Sequence, residues 1–187
     1  MFIDPKVIID QLGISGSEVV IDLGAGSGVY ALEIAKRLGV GGGKVYAVDV
    51  QQDLLTRLAH SAQEEKLTNV SCVHADIERR GGVHLRENIS DLVIVSNVLY
   101  SAEHKEELLG EAARLLRDGG RLLLIDWNGP YRGMGPEASQ VVTEEAGKHL
   151  AEAAGFRAVR NLDGGDHHWA LLCVKEGKSS GIGGFAL

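Results

Sequence analysis

"VVIDLGAGSGVYALEIAKRLG", Val19 to Gly39, is the stretch whose reading decides the fold. A strand-like hydrophobic run carries Asp22, and Gly24, Gly26 and Gly28 follow at alternate positions. Leu32, Ala35 and Leu38 then recur at helical spacing before Gly39 closes the run. A strand that enters a helix through glycines leaves backbone N–H groups exposed. It also lets a ligand approach the main chain with no side chain intervening. A turn needed only to reverse the chain rarely requires three glycines so spaced. The dinucleotide fingerprint G-x-G-x-x-G places two residues before its last glycine. Here the pattern is D-x-G-x-G-x-G from Asp22, position 29 is Val, and no lysine is offered for a nucleoside triphosphate.

Outward from this turn, short β-type runs alternate with helical ones, the signature of a parallel sheet covered on both faces. Strands are expected at Glu18–Leu23, at "KVYAVDV" from Lys44, and at "NVSCVHA" ending just before Asp76. Four more follow at "DLVIVSNV", "RLLLIDW", "FRAVRNL" and "HHWALLCV". Helices are expected at Val29–Leu38, through Leu54, Leu55, Leu58 and Ala62, around His104–Leu116, and in a last run ending at Gly155. The glycines of "RDGG" are read as ending the third helix, and the stretch from Asp76 to Ser90 as a connection with at most a short helix. "DGGD", Asp163 to Asp166, is a hairpin signal, so the seventh strand must run antiparallel in an otherwise parallel sheet. That turn then lies at the carboxyl ends of the parallel strands, where open α/β sheets bind ligands.

Two acids mark the same rim. Asp49 ends the second strand, 21 positions beyond Gly28 (49 − 28), and a carboxylate there can accept from both hydroxyls of a ribose. Asp76 ends the third, where a carboxylate can accept from the exocyclic amine of adenine. Together with the glycine loop they suit an adenosine whose other substituent lies over the glycines.

Bulk properties narrow the partners. A chain of 187 residues with 44% hydrophobic and 24% charged residues fits one globular domain, and no apolar run approaches the roughly 18 residues a membrane helix needs. The N-terminus has acids within its apolar stretch and no small-residue cleavage site, so a signal peptide is not expected. With 19 basic against 26 acidic residues the net charge is −7, which favours small or neutral partners over nucleic acid or anionic lipid. Two cysteines, Cys72 and Cys173, lie in strand-like runs and suit a reducing cytoplasm. The Gly/Ser-rich tail, 176–187, reads as flexible beyond a single domain of residues 1–175.

The motifs "VIDLGAGSG", "VYAVDV", "HADI", "SDLVIVSNVLY" and "LLRDGGRLLLIDW" resemble those of class I S-adenosylmethionine-dependent methyltransferases, within them the small-molecule group similar to quinone-biosynthesis enzymes. The resemblance runs from about Ile14 to Val174. It implies a doubly wound, Rossmann-like α/β fold with seven strands in the order 3-2-1-4-5-7-6. It also implies S-adenosyl-L-methionine as cofactor, S-adenosyl-L-homocysteine as product and a small-molecule methyl acceptor. Carried over by position, Gly24, Gly26 and Gly28 pass beside the methionine portion, Asp49 holds the ribose, and Asp76 with Ile77 meets the adenine. Asn97 and Val98 face the sulfonium, and Asp22 sits beneath the loop towards the methionine amine. A homodimer that completes the cleft is compatible with this reading.

For the acceptor side, Tyr100 is a rim aromatic and His167 and His168 open the last strand. Adjacent strand residues face opposite sides, so at most one of the two histidines can be a general base in the cleft. No third ligand accompanies them, so no metal site is expected. Asn97 and Tyr100 match the ends of an Asn-Pro-Pro-Tyr box, but both prolines are absent and the nucleobase-amine reading is dropped. Trp127 to Pro136 and Met1 to Ile14 complete the expected acceptor walls. Two readings compete with the transferase. A nicotinamide-dependent oxidoreductase would need the wider glycine spacing, and a non-catalytic S-adenosylmethionine-binding domain would keep the same loop.

Overall fold

Val20 and Ile21 are neighbours in the first strand and both are fully buried, which requires that both faces of the sheet be covered. The computed structural model, which describes residues 3–39 and 41–177, shows how. The sheet comprises β1 (Val19–Leu23), β2 (Lys44–Asp49), β3 (Val70–His74), β4 (Ser90–Ser96), β5 (Leu116–Trp127), β6 (Phe156–Leu162) and β7 (His168–Lys175). Their spatial order is β3-β2-β1-β4-β5-β7-β6. β7 is antiparallel to both its neighbours and the other pairings are parallel, as the hairpin signal requires.

The helices are α1 (Pro5–Leu12), α2 (Val29–Leu38), α3 (Gln52–Glu64), α4 (Lys105–Leu115) and α5 (Glu144–Ala153). One face of the sheet, with Val20, Val45, Ile94 and Ile125, packs against α1, α2 and Leu58 of α3. The other, with Ile21, Val48, Val95 and Leu124, packs against α4 and α5. No helix forms between β3 and β4. Buried Ile77 and Val83 cover the sheet there instead. Their connection is pinned by the fully buried Glu111 of α4, which accepts from Gly81 N (2.7 Å) and Val83 N (3.0 Å) and pairs with Arg114. Burial pushes this carboxyl up, but Arg114 and the two N–H groups outweigh it and hold Glu111 below its ordinary value.

Two features depart from the expectations. The segment before β1, expected to line the acceptor side, carries a helix that was not expected, α1. Asp4 caps it by accepting from Lys6 N (2.9 Å), Pro5 stands in its first turn, and Ile8, Ile9 and Leu12 are buried in the core. Nor do the "RDGG" glycines end α4. The helix stops at Leu115 because fully buried Leu116 turns extended and pairs with Ser90, whose hydroxyl donates to Leu115 O (3.0 Å). Gly119 takes its positive φ within the irregular start of β5. The tail expected to be flexible lies, from residue 178, outside the described residues.

Candidate cofactor and acceptor site

Gly24, Gly26 and Gly28 all have positive φ (79°, 53° and 85°), a region costly for other residues. Space treats them differently. A β-carbon on Gly24 would overlap Val98 Cγ2, and one on Gly28 would come within 2.5 Å of Leu58 Cγ. One on Gly26 would meet nothing nearer than 4.0 Å. The outer glycines therefore serve close packing, while the middle one leaves open space above the main chain.

The strand-end acids surround this turn. Asp49, 6% exposed, accepts from Gly26 N through Oδ2 and from Gln51 N through Oδ1, both at 2.8 Å. Each oxygen keeps a second lone pair for a ligand. Asp76 is exposed and accepts from Glu78 N (2.9 Å), and the Ile77 side chain reaches within 3.6 Å of where a Gly24 β-carbon would lie. Asp22, 2% exposed, is pushed up to about 7 by burial and, less, by Asp49, against the opposing bond from Ala31 N. Asn97 holds a left-handed φ of 56°, and its N–H donates to Ile125 O (2.9 Å). Asp22 Oδ2 and Asn97 Oδ1 are buried acceptors with no hydrogen-bond partner among the described residues. Buried acceptors in this state call for a donor, and a cation bearing N–H groups beside an open glycine turn would supply it. The donors and acceptors present thus fit an adenosine with a cationic amino-acid tail.

At the other end of the rim the structure separates the two histidines. His168 pairs with Trp127 in the sheet, is 4% exposed and lies 4.3 Å from the Trp127 ring, centroid to centroid. Burial pushes it down to about 4, with neighbouring His167 adding to the effect, so its imidazole is neutral and weakly basic. Of the two candidate bases, His167 is thus the more accessible and His168 the more deeply packed. His167 is half-buried against the Tyr131 ring (3.9 Å), and its carbonyl accepts from Asn128 N (2.8 Å). Tyr100 is half-buried and its N–H donates to Asp126 Oδ2 (3.1 Å).

Asp126 escaped the sequence reading. It is fully buried at the end of β5, also accepts from Trp127 N (2.8 Å), and is pushed up to about 6, mainly by burial. The available signal was the one used for Asp49 and Asp76, an acid closing a hydrophobic strand. A cavity of about 520 Å³ between α4 and α5 lies away from this rim, at the opposite ends of the parallel strands. Its Arg114 and Lys175 are engaged with Glu111 and with Asn88 and Leu116 O. Cys173 is buried and its thiol pushed up to about 11, and Cys72 is raised likewise. Among the described residues no cluster of His, Cys, Asp or Glu could hold a metal ion, and no helix is long and apolar enough to cross a membrane.

The family model for a methyltransferase domain matches residues 14–162. The ubiquinone/menaquinone biosynthesis C-methyltransferase UbiE of Francisella tularensis subsp. novicida is 30% identical over 149 residues, 78% of this chain and 56% of that protein. An arsenite methyltransferase of Aquipseudomonas alcaligenes is 32% identical over 111 residues, 57% of this chain and 32% of that protein. The chain thus spans little more than half the length of the first of these relatives. In three dimensions it resembles a SAM-dependent methyltransferase from Aquifex aeolicus, with a TM-score of 0.83 at 25% identity over 92% of this chain and 90% of that one. With the glycine turn, the strand order and the antiparallel last strand, these matches lead to one conclusion: the chain belongs to the class I S-adenosylmethionine-dependent methyltransferase family.

Proposed function

We propose that this chain transfers the methyl group of S-adenosylmethionine to a small-molecule acceptor. The observation that carries the proposal is the open space over Gly26 beside Asp49, together with the unsatisfied buried acceptors of Asp22 and Asn97 at the strand ends. In this reading Asp49 accepts the ribose hydroxyls, Asp76 and Ile77 flank the adenine, and Gly24, Gly26 and Gly28 run beside the methionine portion. Asp22 and Asn97 receive its ammonium group, and Val98 borders the reacting methyl. The bound cofactor supplies a methyl already activated on a sulfonium. The chain therefore has to align the acceptor, exclude water and, where the nucleophile carries a proton, take that proton. Tyr100 lines the acceptor side, and His167, the more accessible histidine, is the candidate base. The net charge of −7 favours a small acceptor over a polyanion, and the two free cysteines accord with a cytoplasmic setting.

Thermal melting with ligands tests this. S-adenosylmethionine or S-adenosylhomocysteine at about 100 times its dissociation constant should add about 2.7 kcal/mol of stability, a rise of about 5 to 10 °C. Gly26→Val places a branched side chain in the open space at a left-handed φ, and should abolish the shift while the variant still melts cooperatively. Asp49→Ala should weaken binding by about tenfold or more. A shift with NAD and none with S-adenosylmethionine would favour the oxidoreductase. Binding without turnover across acceptors would favour the non-catalytic domain.

A further inference from the structure

The segment from Asn97 to the start of α4 carries the acceptor side of the site, and three sets of acceptors hold its backbone. Leu99 and Tyr100 N–H groups are bonded to Asp126. Those of Ser101 and Ala102 go to Val98 O (3.1 and 3.0 Å). Glu103 N and His104 N both donate to one oxygen, Glu78 Oε2, at 2.6 and 2.7 Å. His104, the N-cap of α4, makes no side-chain cap of its own, and Glu78, from a distant loop, holds the backbone that leads into the helix by accepting from its N′ and N-cap N–H groups.

Glu78 belongs to the other half of the site. Its own N–H is bonded to Asp76 Oδ1 (2.9 Å), and it follows Ile77 directly. The Ile77 and Val98 side chains both pack against the backbone at Gly24. Two loops, one proposed to meet the adenine and one the acceptor, thus share a wall at Gly24 and are tied by a single side chain. We propose that Glu78 is a positioning residue that couples cofactor occupancy to the acceptor wall. When the nucleoside fixes Asp76 and Ile77, Glu78 fixes Glu103 and His104, and through them the segment that presents Val98 and Tyr100. This inference rests on the nucleoside-binding reading of the site.

Hydrogen–deuterium exchange on the full chain, with and without S-adenosylhomocysteine as the probe, tests it in the wild type, Glu78→Ala and Glu78→Gln. In the wild type the probe should slow exchange across 99–104 by about fivefold or more. Glu78→Ala should bind within about threefold of wild-type affinity and keep its protection at 24–28. Its probe-induced slowing at 99–104 should fall below about twofold. Glu78→Gln retains an acceptor oxygen and should recover most of the effect. If Glu78→Ala fails to fold, Glu78→Asp, which keeps the charge but not the reach, is read in its place. A purely structural cap would speed exchange at 103–104 equally with and without the probe. That result, or a wild type in which the probe leaves 99–104 unchanged, would overturn the inference alone. A wild type that binds neither S-adenosylmethionine nor its product would overturn the proposed function as well.

Discussion

Asp22 shows what a single buried carboxyl costs and when. Its neighbours are Asp49 on β2, the buried Tyr30 on α2, whose hydroxyl lies beside Ser96, and the backbone of Ala31. Its pKa rises from 3.8 to about 7, so the folded state binds a proton more tightly than the unfolded chain does. The stability this gives is fully present below about pH 4 and is lost as pH rises through about 7. A shift of that size corresponds to roughly 4 kcal/mol at pH 8 as an upper bound. Asp22→Asn should therefore melt about 5 to 10 °C above the wild type at pH 8. The difference should shrink as pH falls below 7 and vanish near pH 4. A gap that does not depend on pH would show that Asp22 is ionised throughout. Asp126, pushed up to about 6, adds to the same trend. An acid retained at such a cost at a strand end, beside an open ligand turn, is what a site for a cation requires.

Where an element lies on the sheet decides what its small residues are for. Gly147 lies in α5 and Gly110 in α4, and nothing local distinguishes them. A β-carbon on Gly147 would come within 2.5 Å of the Trp169 ring, whose Nε1–H is committed to Val142 O at 2.8 Å and cannot retreat. A β-carbon on Gly110 would meet nothing within 4 Å. Alanine in a helix gains about 1 kcal/mol over glycine, and overpacking against a fixed ring costs about 1 to 3 kcal/mol. Gly110→Ala should then raise the melting temperature by about 2 to 4 °C, while Gly147→Ala, with a net cost of up to about 2 kcal/mol, should lower it by up to about 4 to 8 °C. Melting curves of the two variants side by side check both signs.

The whole molecule is a sheet with two covered faces, and α1 is the part of that cover whose role only the assembled fold reveals. Ile9 is 1% exposed and packs in the same core as Ala31, Ile34 and Leu123. Ile9→Ala should cost about 2 to 5 kcal/mol, a fall of about 5 to 15 °C in thermal melting. No change would mean that α1 is docked loosely. The strands, four of the five helices, the glycine turn and the acids Asp49 and Asp76 were legible in the chain, because periodicity and turn chemistry are written by near neighbours. The antiparallel β7 followed from the same local grammar, since "DGGD" leaves the chain no room for a crossover. Packing decided the rest. It buried His168 and left His167 partly open, buried Asp126 beneath Tyr100, ended α4 at Leu115 and carried Glu78 to the start of that helix. Each of these depends on which distant side chains are stacked against it, and burial, which sets both the cost of a charge and the reach of a hydrogen bond, exists only once the layers have closed.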